Sequence, residues 1–267
     1  MTDSPALAPR LMPLVREAAE AAGDLALGLF RPGLTTGART WSKAGGSPVT
    51  EADVAVDTFL KVRLSAVLPE AAWLSEETAD DPRRLGRELV WIVDPIDGTR
   101  AFMSGHPDWS VAVALLAGDV PVLGIVYAPA HETLYQAERG RGALRNDRPI
   151  AVSPIGSLDG ANVAGPKPSV DHLARRAPNV RRATRIPSLA LRIARVAEGS
   201  IDIGLVSGNA RDWDLAAADL ILQEAGGLLT DLSSRPPIYN RPDPGHGELV
   251  AGPARLHPLL IEAITAS

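Results

Sequence analysis

The chain of 267 residues contains no cysteine, which excludes disulfide bonds and thiolate metal ligands and suits a reducing compartment. It also lacks a basic tail or polybasic run, and its formal net charge is −5. That balance argues against a general binder of nucleic-acid polymers or of a membrane surface. No stretch approaches the roughly 18 consecutive apolar residues of a membrane span, and the N-terminus lacks the charged start and apolar run of a signal peptide. Internal repeats and low-complexity segments are absent as well. What is present is an ordinary globular composition, 45% apolar and 22% charged, long enough to bury a sizeable core. The expectation is a soluble, cytoplasmic protein.

Leu11, Leu14, Val15, Ala18, Ala22, Leu25 and Leu29 recur at helical steps, predicting an amphipathic helix that packs one face inward and stops at Arg31-Pro32-Gly33. Thr50 is an expected N-cap for a second helix carrying Asp53, Val54, Phe59, Leu60, Leu64 and Val67. Ala71 to Ser75 reads as a short strand running into Glu76-Glu77, and Asp80 to Glu88 as a charged linker. Strands are expected at Trp91 to Val93, Trp109 to Ala117, Val120 to Tyr127, Thr133 to Ala137 and Ala143 to Val152, the last interrupted at Asn146-Asp147. The first half is therefore helices packed on a largely antiparallel sheet. Ser, Pro and Gly gather between Ser153 and Gly160, the candidate boundary between domains at 1–155 and 156–267. Beyond it, strands at 162–164, 201–206, 228–230 and 248–251 alternate with helices at 170–174, 188–198, 215–224 and 257–264, which suggests an α/β layer.

The stretch Trp91-Ile92-Val93-Asp94-Pro95-Ile96-Asp97-Gly98-Thr99 organises the chemistry. An apolar strand ends in two carboxylates, with the Ile96 carbonyl between them. Pro95 biases Asp94 toward extended geometry, and Gly98 admits close approach of a ligand to the backbone. Asp214 follows Trp213 at the start of a helix, where a first-turn carboxylate is an ordinary partner of the helix dipole. Thr50 and Asp53 have the same simple reading. Glu76 and Glu77 read either as a solvated surface pair or as a strand-end pair aimed at Asp94. Together, Glu76, Asp94, Asp97, Asp214 and the Ile96 carbonyl make an oxygen-only donor set, which selects Mg²⁺ over zinc and suits phosphate ester hydrolysis.

These motifs, Asp94-Pro95-Ile96-Asp97-Gly98-Thr99 and Trp213-Asp214-Leu215-Ala216-Ala217-Ala218 with Glu224-Ala225-Gly226-Gly227 behind, resemble the signatures of the inositol monophosphatase superfamily. The likeness covers nearly the whole chain. It implies an αβαβα sandwich made of an α+β half and an α/β half, and lithium-sensitive phosphomonoesterase activity with two to three Mg²⁺ ions. It further implies that Glu76, Asp94 and the Ile96 carbonyl hold one metal, that Asp94, Asp97 and Asp214 hold a second, and that a third shares Glu76. By the same resemblance Thr99 and Asp53 orient and deprotonate a water with Glu77 nearby, and the Gly98 and Thr99 amides bind the phosphate. Members are commonly homodimers.

Within the family, Ser42-Lys43-Ala44, Ser47-Pro48-Val49-Thr50, Leu74-Ser75-Glu76-Glu77 and Leu123 to Pro129 resemble the bacterial 3'(2'),5'-bisphosphate nucleotidase branch. The resemblance puts Arg192, and with it Lys167 and Asp214, in the substrate-binding set, with Arg192 where the branch carries a lysine for a second phosphate. A solvated helix position is the alternative for Arg192. Ser207 stands where inositol-specific members carry a glutamate. The expected substrate is adenosine 3',5'-bisphosphate. An inositol, sugar or histidinol phosphate is the alternative, and a catalytically idle phosphate sensor a remote one.

Overall fold

The computed structural model describes residues 4–43 and 45–266, so Ala44 of the Ser42-Lys43-Ala44 segment lies outside the described residues. Helix α1 (Ser4–Leu27) begins earlier than its apolar periodicity implies and runs through Pro9 and Pro13. Ala8, Leu11 and Met12 are buried, and this packing holds a segment in which each proline removes one helical hydrogen bond. Leu14 and Leu25, expected inward, face solvent at 46% and 42% exposure. They lie to the side of the stripe formed by Leu11, Val15, Ala18 and Ala22.

A small hairpin that the sequence did not signal, β1 (Thr40–Ser42) and β2 (Pro48–Thr50), feeds directly into α2 (Glu51–Val67). Val54 of α2 is exposed, while Ala52, Val56, Leu60 and Leu64 are buried. Strand β3 (Ala72–Ser75) follows, and the charged linker folds into a short 3₁₀ turn at Pro82–Gly86. Then come β4 (Leu89–Asp97), the brief helix α3 (Thr99–Met103), β5 (Ser110–Ala117), β6 (Val120–Ala128), β7 (Thr133–Glu138), β8 (Ala143–Arg145) and β9 (Arg148–Ile150). These strands form a seven-stranded sheet in the order β3-β4-β5-β6-β7-β8-β9. Only β3 and β4 run parallel in it.

The second half supplies β10 (Asn162–Ala164), α4 (Lys167–Arg176), β11 (Arg181–Arg182), α5 (Leu189–Ala197), β12 (Ile203–Val206), α6 (Asp212–Glu224), β13 (Gly227–Asp231), β14 (Leu249–Pro253) and α7 (His257–Thr265). Its sheet has the order β11-β10-β12-β14-β13, parallel through β12 and antiparallel at β14 and β13. Both halves build one layered sandwich.

The layers follow from alternation along the strands. On β4, Trp91 and Val93 point to the α1–α2 side, where they join Val15, Ala22, Leu60 and Leu64 in a buried cluster. Val90 and Ile92 point the other way and pack with Ile193, Ala216, Leu220 and Ile221 of α5 and α6. A third cluster joins Val163 and Leu205 of the smaller sheet to Leu173 of α4 and Leu260 of α7. The order is therefore helix, sheet, helix, sheet, helix. Burial on both faces explains why all nine residues of β4 are buried and why it reads as a continuous apolar run. Among the described residues no helix is long and apolar enough to cross a membrane.

Candidate active site

In a regular strand, residues three apart point to opposite faces. Pairing between β4 and β5 shifts register between Asp94 and Asp97. Pro95, which has no N–H to give the ladder, sits inside that irregularity. The bulge brings the two carboxylates to one side, and the Ile96 N–H donates to Asp94 Oδ1 at 3.0 Å. Gly98 then turns the chain with φ +92°. A Cβ there would stand 3.2 Å from the Asp108 carbonyl and 3.3 Å from the Ser188 amide. Thr99 opens α3, so its amide and its neighbours' have no acceptor inside that helix.

Asp214 arrives from α6. One of its oxygens accepts from the Arg211 amide at 2.7 Å, while the carboxylate also meets Asp94 and Asp97, the three offering oxygens within 4.8 Å of one another. Asp214 therefore serves the helix terminus and also stands in a group of three carboxylates close enough to share a cation. Asp53 behaves in the same way. Its Oδ2 accepts from the Thr50 amide at 2.8 Å, closing a capping box, and its Oδ1 accepts from Thr99 Oγ1 at 3.2 Å. The Thr99 hydroxyl also lies 3.2 Å from the Ile96 carbonyl.

Glu76 lines the same cleft as Asp94, Asp97, Gly98, Thr99 and Asp214, a space of about 240 Å³. Lys43 holds it there. The Lys43 ammonium lies 2.9 Å from Glu76 Oε1 and 2.7 Å from Glu77 Oε1, so the adjacent glutamates are a cation-bridged pair. Asp57 supports this segment from below, accepting from Ser75 Oγ and from Thr78 Oγ1. Asp97 in turn takes bonds from Ser188 Oγ and the Ala190 amide, both at 2.6 Å. Lys43, Asp57 and Ser188 join the cluster through these contacts, although none of them stands among the site residues expected from the sequence. The spacing of Asp57 four residues after Asp53 and the placement of Ser188 before an apolar helix were the available signals.

Lys167 and Arg192 are the expected site residues that the structure does not bring to the cleft. Lys167 is exposed on α4 and paired with Asp171 at 2.6 Å. The Arg192 guanidinium is partly buried and directs its donors to backbone: Nε and Nη2 to the Ile186 carbonyl, Nη1 to that of Leu205. Helical phase decides this, because the α5 face bearing Arg192 meets the loop before the helix and β12. Arg185, three residues earlier than Ser188, lines the cleft in its place, together with Arg100.

Electrostatically the cluster calls for cations. Burial first, then repulsion from Glu76, Asp97, Asp214 and Asp53, raises the Asp94 carboxyl well above its usual range. Burial and Asp97 do the same to Asp214. Asp97 is also raised by burial, opposed by the bonds from Ser188 and Ala190. Burial pushes Asp53 to about 6 and Glu77 to about 7. Buried anions held this close are unfavourable unless neutralised, and an all-oxygen donor set without imidazole fits a hard cation such as Mg²⁺.

The model of the inositol monophosphatase family matches residues 10–267. The chain belongs to the inositol monophosphatase family. It is a phosphoric monoester hydrolase of a Mg²⁺-dependent group. It is similar to the 3'(2'),5'-bisphosphate nucleotidase CysQ of Aggregatibacter actinomycetemcomitans, with 31% identity over 89% of this chain and 90% of that one. It is also similar to the histidinol-phosphatase of Chlorobaculum parvum, with 36% identity over 85% and 88% of the two chains. In structure it resembles the extragenic suppressor protein suhB from Bartonella henselae, with TM-score 0.85, 28% identity, and 97% and 99% of the chains covered. The family fold expected from the motifs is the fold observed. Relatives this evenly spread across esters leave the substrate to the cleft itself.

Proposed function

We propose that Glu76, Asp94, Asp97, Asp214 and the Ile96 carbonyl hold two to three Mg²⁺ ions, and that the chain hydrolyses a small phosphomonoester by attack of water. The observation that carries this reading is the convergence of Asp94, Asp97 and Asp214. When bound, Mg²⁺ supplies Lewis-acid activation of water and neutralises phosphate oxygens. The protein's own part is orientation and proton handling. The Thr99 hydroxyl has one proton for two acceptors. Donated to Asp53 Oδ1, it leaves lone pairs on Oγ1 to accept from a water. Asp53, bonded to the Thr99 hydroxyl, is the acceptor of the water's proton through Thr99 in this reading, and Glu77 is a second carboxylate nearby. The amides of Gly98 and Thr99 are the phosphate donors in this reading.

For the ester we favour adenosine 3',5'-bisphosphate. A cavity of about 1110 Å³ adjoins the acidic cleft, roomy enough for an organic group and lined by Lys43, Arg100, Arg211, Trp213 and His246 as well as Glu76, Asp214 and Asp243. Lys43 and Arg211 are paired with carboxylates, which leaves Arg100 as its unpaired cation among the described residues. Ser207 offers no carboxylate to ring hydroxyls. The test is phosphate release with Mg²⁺ and with chelator from adenosine 3',5'-bisphosphate, inositol 1-phosphate, a sugar phosphate and histidinol phosphate. Mg²⁺-dependent release fastest from the bisphosphate is expected. Equal or better turnover of inositol 1-phosphate sinks the choice of ester, and no release from any member of the panel sinks the hydrolytic reading.

A further inference from the structure

Cationic side chains near the catalytic cleft divide into two groups by what they already touch. Lys43 is bound to Glu76 and Glu77, Arg211 to Asp243 at 2.9 Å, and Arg192 to backbone carbonyls. Arg100 and Arg185 line the acidic cleft and are exposed. Among the described residues neither guanidinium has a hydrogen bond or an ion pair, although four carboxylates lie in the same cleft. They come from separate segments, Arg100 from α3 immediately after Thr99 and Arg185 from the loop that leads through Pro187 to the cap of α5. Arg100 also lines the adjoining cavity.

If these arginines served to neutralise the acidic floor, they would be paired with it, as Lys43 is. Instead they flank the mouth with planar donor forks free, the arrangement that suits a carboxylate or phosphate arriving with the ligand. A cationic ligand such as an amino alcohol phosphate would meet like charge there, and a neutral polyol would leave both unused. Resting on the phosphatase reading above, we infer that Arg100 and Arg185 select phosphomonoesters carrying a second anionic group, whose charge they bind at the mouth while the scissile phosphate lies over the carboxylates. Specificity then comes from residues at the rim, separate from the hydrolytic floor.

The test is steady-state kinetics with Mg²⁺ on two matched pairs: adenosine 3'-monophosphate against adenosine 3',5'-bisphosphate, and glycerol 1-phosphate against 3-phosphoglycerate. The wild type is expected to prefer the doubly anionic member of at least one pair by about tenfold in kcat/KM, and the Arg100→Gln/Arg185→Gln double variant to lose that preference. The pair that responds tells a phosphate from a carboxylate as the second group. Lysine at both positions should restore part of the preference, since charge without the fork remains. Turnover of the singly anionic esters reports separately on the hydrolytic reading and on folding of the variant. A wild type without preference in either pair overturns the inference, and so does a double variant that keeps it or loses both members equally. Absence of Mg²⁺-dependent turnover of all four esters overturns it together with the hydrolytic reading.

Discussion

Ser188 Oγ lies 2.6 Å from Asp97 Oδ2, so the residue that caps α5 also grips a carboxylate of the acidic cluster. The proton direction follows from the neighbours. Ser188 Oγ accepts from the Leu191 amide at 3.0 Å and lies 3.0 Å from Ser110 Oγ. Its own proton is thus committed to Asp97, and Ser110 is the donor to Ser188. Through this one hydroxyl, the second half of the chain sets the orientation of a carboxylate on β4.

Ser188→Ala therefore removes a helix cap and a buried bond to a carboxylate together. Stability should fall by about 1–3 kcal/mol in denaturant titration. Half-maximal activity should require more Mg²⁺, because Asp97 loses its side-chain donor and keeps only the backbone amides of Ala190 and Leu189. A variant with unchanged Mg²⁺ dependence would make the contact purely structural.

Asp94→Asn removes a buried carboxylate that Glu76, Asp97, Asp214 and Asp53 all oppose. Phosphate release should drop below detection, while the melting temperature in chelator stays at or above that of the wild type, since one buried like charge is gone. Wild-type turnover in this variant would mean that Asp94 is not a metal ligand.

Adding Mg²⁺ to chelated protein should raise the melting temperature in a concentration-dependent way, by the equivalent of about 2.7 kcal/mol at a hundred times the dissociation constant. The Asp94→Asn variant should show little of this shift. Calorimetry of both proteins across a Mg²⁺ series makes the comparison, and equal shifts would place the stabilising ions elsewhere.

Arg192→Ala leaves the carbonyls of Ile186 and Leu205 without their side-chain donor, at a cost of about 1–3 kcal/mol. Its kinetic effect should be the same on singly and doubly phosphorylated esters. A selective loss on bisphosphates would instead return Arg192 to the second-phosphate role suggested by its place in the sequence.

Asp219, buried on α6 and bonded by Tyr239 at 2.8 Å, has its carboxyl pushed by burial to about 6. The folded value lies above the unfolded value near 3.9. Its stabilising contribution is therefore complete below about pH 4 and lost as pH rises through about 6. Asp219→Asn should match the wild type at pH 4 and exceed it by about 2 kcal/mol at pH 8. Parallel denaturation curves at the two pH values read this directly, and a constant difference between the proteins would exclude titration of Asp219.

Much of the fold was legible because its signals are local. The apolar β4 run, the paired apolar runs that became β5 and β6, and the Thr50 cap each depend on residues close in sequence. The short β1–β2 hairpin and α3 carry too few residues for periodicity to register, and their pairing partners or ligands define them. The positions of Leu14 and Leu25 show a related limit, since an apolar face of α1 is visible in sequence but its width depends on what packs against it.

By itself the sequence determined the chemical character of the acidic cluster: carboxylates, with neither thiolate nor imidazole in the motif, suited to a hard cation. Covalent composition suffices for that. Tertiary structure alone decided which charges meet. The bulge at Pro95 turned Asp94 and Asp97 to one side, Lys43 joined Glu76 to Glu77, and helical phase took Arg192 into the protein while leaving Arg100 and Arg185 at the mouth. Those outcomes depend on distances between segments tens of residues apart, and electrostatic interaction falls with distance in space, whatever the separation along the chain.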